Sequence, residues 1–197
     1  MTTRGFQGRA RSTDGRVPPG QFVTDDFPVL TAGPTEFVDT SEWELTVTDG
    51  MVTSTFDWDG LHELPMETIT SDIHCVTHWS KFDTTWRGVP IEALFDAAGV
   101  GDFDYALVSS YGGYTTNLPV TDLVDRDAMV AVEFDGASLE AEHGGPARLL
   151  VPHLYLWKSA KWLSGIRLGD DEDQGFWEAA GYHNYGDPWS EQRYTSD

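Results

Sequence analysis

The chain has a single cysteine, Cys75, set in Asp72-Ile73-His74-Cys75-Val76-Thr77-His78-Trp79-Ser80. A thiolate there could act as a nucleophile or as a soft metal ligand, and an imidazolium at His74 or His78 would favour the thiolate form. A core cysteine with no chemistry is the plainer alternative, because a thiol packs as a small hydrophobe. A second constellation is His143-Gly144-Gly145-Pro146-Ala147-Arg148, followed by Pro152-His153 and Lys158-Ser159-Ala160-Lys161. Arg offers a bidentate fork, Lys a point charge, and paired glycines a close backbone approach, so together they could cradle an anion such as a phosphate. Solvated cations on a surface turn would give the same letters. Yet Lys81, Lys158 and Lys161 are the whole lysine complement, which makes two lysines three residues apart noteworthy. The glycine spacing is neither that of a P-loop nor that of a dinucleotide fold.

Two further segments carry polar and aromatic groups: Ser109-Ser110-Tyr111-Gly112-Gly113-Tyr114-Thr115-Thr116-Asn117, read as a strand and a glycine turn, and the tail Gly181-Tyr182-His183-Asn184-Tyr185-Gly186-Asp187-Pro188-Trp189, read as packed down.

The elements that must position these groups are short. Period-two alternation predicts a strand over 43–47, closed by Asp49-Gly50, and a second over 67–73 that delivers His74-Cys75 at its end. Residues 90–98 read as a helix with Pro90 at its start and Gly99 as its stop. Strands are expected over 105–109, 128–134, 148–152 and 162–168, and a helical turn over 176–180. Strands outnumber helices without alternating with them, which predicts an α+β class of mixed sheets with few short helices. Residues 1–20, rich in Gly, Arg, Ser and Pro, read as an N-terminal arm, with one domain over 21–197.

Composition narrows the functions. The formal net charge is −21, from 33 acidic against 12 basic residues. Nucleic acid and anionic membranes would both be repelled. Acidic, lysine-poor surfaces suit high salt, where screening relieves self-repulsion, so a salt-loving host is expected. One cysteine excludes an internal disulfide and a multi-cysteine zinc site. The start of the chain shows no secretory leader, and no apolar run could span a membrane, so the expected location is the cytoplasm.

Taken in order, Cys75-Val76-x-x-Trp79-Ser80, Trp86-Arg87-Gly88-Val89-Pro90, Gly144-Gly145-Pro146-Ala147-Arg148-Leu149 and Lys158-Ser159-Ala160-Lys161-Trp162 resemble the oxidoreductase molybdopterin-binding domain of the sulfite oxidase family. The likeness runs from about residue 17 to 194, is greatest to the short stand-alone members, and extends more distantly to the catalytic subunit of methionine sulfoxide reductase. It implies molybdenum-molybdopterin as cofactor, with Cys75 as the protein thiolate on molybdenum. It also implies cofactor contacts from Ser110, His143, Arg148, Ser159, Lys161, Asp25 and Asp26. His78, Tyr111 and His183 are candidates to face substrate or relay protons, His78 and Tyr111 being the catalytic choices beside Cys75. The implied reaction is two-electron oxygen-atom transfer on a small molecule, either oxidation of a sulfite-like anion or reduction of an S- or N-oxide. An Arg-rich run after the cysteine, which animal sulfite oxidases use for sulfite, is replaced here by Val76-Thr77-His78-Trp79. With no dimerisation or haem domain following, a monomer with a separate electron-transfer partner is expected. The rival readings are a molybdopterin carrier without turnover and a cofactor-free enzyme using Cys75 with His74 or His78.

Overall fold

The computed structural model describes residues 15–197; the Arg- and Gly-rich residues 1–14 of the expected arm lie outside it. In the described remainder of that arm, Arg16 pairs with Asp72 and, at 2.7 Å, with Asp83; just beyond it, Gln21 Nε2 donates to the Cys75 carbonyl at 3.0 Å.

Among the described residues, eleven strands form two sheets. In chain order they are β1 (Phe22–Val23), β2 (Glu44–Thr48), β3 (Thr53–Asp57), β4 (Glu67–His74), β5 (Trp79–Pro90), β6 (Tyr105–Ser110), β7 (Thr115–Pro119), β8 (Met129–Phe134), β9 (Ala137–Ser138), β10 (Arg148–Leu150) and β11 (Leu163–Gly169). The helices are α1 (Trp58–Glu63), α2 (Ile91–Ala98), α3 (Val120–Val124) and α4 (Phe176–Ala179). The α+β expectation therefore holds. The first sheet runs β1-β5-β8-β10, with β4 also on β5 and β9 on β8; the second runs β3-β2-β11-β6-β7.

Local chemistry explains the elements that were expected. Leu45 and Val47 turn inward from β2, while the Asp49 carboxylate accepts from the Met51 and Val52 amides to close the turn to β3. Pro90 precedes α2, and Gly99 ends it in the left-handed conformation (φ 70°), its amide reaching back to Phe95 O and Asp96 O.

The apolar run of β8 has a different cause. Val130 and Val132 face a large core with Leu45, Val108, Leu149 and Ile166, while Met129 and Ala131 face a smaller one with Ile73, Cys75, Trp79 and Trp86. A strand covered on both faces has no polar side to alternate.

The longest strand, β5, was not expected from sequence. Lys81, Asp83, Arg87 and Gly88 mask its alternation, yet Arg87 meets Glu133 of β8 at 2.6 Å. Gly88 sits where a Cβ would come within 2.1 Å of the Val130 carbonyl. That close approach marks the register shift between Arg87 and Gly88, where β5 lies against β8.

Candidate cofactor-binding cleft

The hairpin of β4 and β5 presents Cys75. Its tight turn is closed by the Cys75 amide on Trp79 O (2.9 Å) and the His78 amide on Cys75 O (3.0 Å), with His78 at φ 75°. β1 then runs parallel to the first residues of β5 and pins the far side of the turn. The cysteine is 7% exposed, and its Sγ accepts from Thr77 Oγ1 at 3.2 Å. Burial raises its pKa, against the opposing pull of Thr77 and of the charges on Arg193 and Lys161.

Neither flanking histidine hydrogen-bonds the sulfur, contrary to the sequence expectation. His74 is buried, bonds Ser80 Oγ at 2.8 Å, and is pushed down to about 4 by burial, so it is neutral near pH 7. His78 is exposed and turns its Nδ1 to Gly20 O at 2.9 Å. The hairpin end thus engages the two rings with Ser80 and Gly20, not with the sulfur between them. No histidine base touches Sγ, which weakens the thiol-enzyme reading.

Cys75 forms part of the wall of a cleft of about 390 Å³. Five stretches distant in sequence build it: residues 27–36, the Cys75 turn, the Gly112-Gly113-Tyr114 turn between β6 and β7, Arg148 with the loop to β11, and the end of the chain from Phe176 to Tyr182. Arg148, Ser159 and Lys161, named from sequence, lie here together with Cys75.

Arg148 is 2% exposed and donates to three backbone carbonyls: His143 O (2.8 Å), Ser159 O (2.7 Å) and Leu149 O (3.3 Å). Lys161 Nζ donates to Glu142 O at 2.6 Å. Neither cation has a carboxylate within ion-pair distance among the described residues. Burial lowers Arg148 to about 10; burial first, and then the charge of Arg148, lowers Lys161 to about 8. In a chain of net charge −21, two cations without carboxylate partners in one cleft offer charge that could attract an anion. Ser159 acts indirectly, since its Oγ accepts from the Val151 amide at 2.9 Å and its carbonyl holds Arg148.

The remaining sequence candidates lie nearby or elsewhere. His143 stacks on Phe27 at 4.0 Å and 8°, and its buried Nδ1 has no partner. Asp25 and Asp26 are exposed beside the cleft, and the wall begins at Phe27. Ser110 ends β6 beneath the Gly112 turn with a buried, unpartnered Oγ. Tyr111 bonds the Glu44 amide (2.6 Å) and carbonyl (3.0 Å), tying this turn to β2 rather than facing the cleft. His183 accepts from the Tyr185 and Gly186 amides through Nδ1 and shapes the tail.

Lys158 is wholly buried on Glu178 (2.6 Å) and Asn117, so of the lysine pair only Lys161 reaches the cleft. The paired glycines also serve the fold: a Cβ on Gly144 would press on Lys161, and one on Gly145 would meet Leu139 O at 2.0 Å. They admit neighbouring chain, not ligand.

Sequence reasoning missed Glu36, Trp157 and Trp177, and it read the Gly112-Gly113-Tyr114 turn and Tyr182 as structural, not as walls of a cleft. The aromatic density of the tail was the visible signal for part of it.

The donor set fits a phosphate-bearing group with a soft metal: a thiol with a guanidinium and an ammonium that lack carboxylate partners line one cleft, and the unpartnered imidazole nitrogen of His143 lies behind its Phe27 wall. Comparison with known proteins points the same way. The profile of the oxidoreductase molybdopterin-binding domain matches residues 32–177. The uncharacterized oxidoreductase YuiH of Bacillus subtilis (strain 168) is 42% identical over 198 residues, covering 98% of this chain and 100% of that one. The putative protein-methionine-sulfoxide reductase subunit YedZ1 of Azospira oryzae is 28% identical over 76% of this chain, which spans 57% of that relative. The mitochondrial sulfite oxidase of Drosophila melanogaster is 23% identical over 84% of this chain but only 34% of its own length. Among solved structures, the sulfane dehydrogenase SoxCD of Paracoccus pantotrophus superposes with a TM-score of 0.63 at 22% identity, over 70% of this chain and 40% of that one, a likeness of fold.

Proposed function

This chain belongs to the oxidoreductase molybdopterin-binding domain family, whose cofactor is molybdenum-molybdopterin, and from that premise we propose that it is a molybdenum enzyme of the sulfite oxidase type with Cys75 as the protein ligand. The observation that carries the reading is the convergence of the one cysteine with Arg148 and Lys161, both lacking carboxylate partners, in a single cleft. When bound, the cofactor supplies two-electron redox chemistry with transfer of an oxygen atom.

The residues of this chain bind and orient. Arg148 and Lys161 hold the pterin phosphate by charge, with Ser159 fixing Arg148 through its carbonyl. Cys75 offers its sulfur from a turn locked by two backbone bonds, and Thr77 steadies that sulfur through its hydroxyl. A soft metal lowers the pKa of a thiol it binds, which offsets the rise that burial imposes here. The aromatic walls keep water from the reacting centre. The substrate is a small molecule, either a sulfite-like anion to be oxidised or an S- or N-oxide to be reduced, and electrons pass to or from a separate partner. Val76-Thr77-His78 brings no arginine to Cys75 from the turn itself; Arg193 of the tail reaches Val76 O at 2.6 Å instead.

Metal analysis of protein from a molybdenum-competent host, with pterin released oxidatively, is the test. About one molybdenum and one pterin per chain supports the reading, and neither in a host that fills other molybdoenzymes removes it. Cys75→Ser should abolish turnover while leaving thermal stability within about 1 kcal/mol, since the swap is nearly isosteric at a lightly exposed position. Full activity in that variant would remove the ligand assignment.

A further inference from the structure

Glu36 carries the one carboxylate among the side chains that line the cleft, in a protein with 33 acidic residues. It is half-buried and makes no hydrogen bond or ion pair among the described residues. Its place depends on a glycine: a Cβ on Gly112 would lie 2.8 Å from Glu36 Oε1, so any other residue there would displace the carboxylate. Beside that turn stands Tyr114, whose ring lies 6.0 Å from Phe176, which in turn meets Trp177 edge-on at 5.0 Å; all three line the cleft. The same cleft therefore offers cations and a thiol and, at the Gly112 turn, a carboxylate without a partner among the described residues, with the flat ring of Tyr114 two residues further along that turn.

A pterin has matching halves. Its phosphate is anionic, whereas its aminopyrimidine edge presents a ring N–H and an exocyclic amino group side by side. Two parallel N–H donors are the complement of two carboxylate oxygens, and a charged acceptor strengthens both bonds. Flat heterocycles also gain from aromatic walls. We propose that Glu36 accepts the aminopyrimidine edge of the pterin ring, with Gly112 opening the space for it and Tyr114, Phe176 and Trp177 lining the same cleft. This rests on the cofactor reading above.

The test uses cofactor-free full-length protein and two free ligands, read by quenching of ligand fluorescence. One is 2-amino-4-oxopteridine; the other is the 2,4-dioxo analogue, which replaces the amino donor by an acceptor. Wild type should bind the amino compound roughly tenfold to a hundredfold more tightly, the range for hydrogen bonds to a charged group. Glu36→Gln keeps the shape but sets an amide N–H against ligand N–H, and should erase that preference. It should also lower pterin content in protein purified from a molybdenum-competent host. Equal affinity of wild type for both compounds overturns the proposal without any variant, so a misfolded variant cannot shelter it. Wild type that arrives loaded, alongside a Glu36→Gln protein that is loaded equally and keeps the preference, overturns it while leaving the cofactor reading intact. Wild type that carries no pterin and binds neither compound overturns both.

Discussion

Lys161 gives the anion site a signature that can be measured without activity. Burial first, and the neighbouring Arg148 charge second, hold its ammonium at about 8. A protonated Lys161 attracts an anion and a neutral one does not, so affinity is greatest below that value and falls as pH rises through it. Sulfate is the cleaner probe, because its own charge is constant over this range. Calorimetric titration of cofactor-free protein should show sulfate binding weaken between about pH 7 and 9. Lys161→Gln should bind more weakly throughout and lose that inflection; an unchanged inflection would assign it to another group. The letters of Cys75, Arg148 and Lys161 were legible in sequence because their chemistry is rare in a lysine-poor, single-cysteine chain. Glu36 was not, since one acid among 33 carries no signal until the fold places it opposite Gly112. His74 and His78 misled for a related reason: proximity along the chain says nothing about ring direction, and the hairpin sends them to Ser80 and Gly20.

At the level of elements, the cleft depends on two joints that sequence periodicity could not show. The first is β5 against β8. Alternation, apolar runs and proline or glycine punctuation located eight of the strand and helix positions to within a residue or two, but missed β5, where Lys81, Asp83, Arg87 and Gly88 interrupt the apolar residues. Gly88→Ala would drive a Cβ into the Val130 carbonyl and the Ala131 Cα, both rigid backbone. A loss of at least about 2–3 kcal/mol in urea denaturation is expected, at the upper end for overpacking; a change under about 0.5 kcal/mol would mean that β5 can slide. The second joint is Lys158–Glu178, which fastens α4 to the turn at Leu156–Lys158. Both side chains are fully buried, and Thr116 and Trp157 donate to the same carboxylate oxygen of Glu178. Lys158→Met strands that charge, and a cost of about 3–5 kcal/mol follows. Lys158→Met with Glu178→Gln should recover part of it in a double-mutant cycle, because the stranded charge is then gone. The sequence marked Lys158 as unusual but not its use, since a buried ammonium and a ligand-binding one look alike until a partner carboxylate is seen.

For the whole molecule the governing number is the net charge of −21. Among the described residues, most ion pairs are exposed or half-exposed and few, so the acids are largely left facing one another through solvent. Exposed pairs contribute at most about 1 kcal/mol each, which is too little to offset repulsion summed over such a surface. Screening would relieve that repulsion: the Debye length falls from about 30 Å at 0.01 M salt to about 3 Å at 1 M. The thermal midpoint should therefore climb steeply with potassium chloride over that range. Specific anion binding in the cleft would also raise the midpoint, so the salt must be chosen to separate the two. Chloride at molar concentration tests the surface, whereas millimolar sulfate at fixed ionic strength tests Arg148 and Lys161, because a ligand that binds only the folded state stabilises it by mass action. Lys161→Gln should keep the chloride response and lose most of the sulfate response. A midpoint that stays flat in chloride would mean that the acidic surface is not under strain from its own charge, and the expectation of a salt-loving host would lose its physical basis.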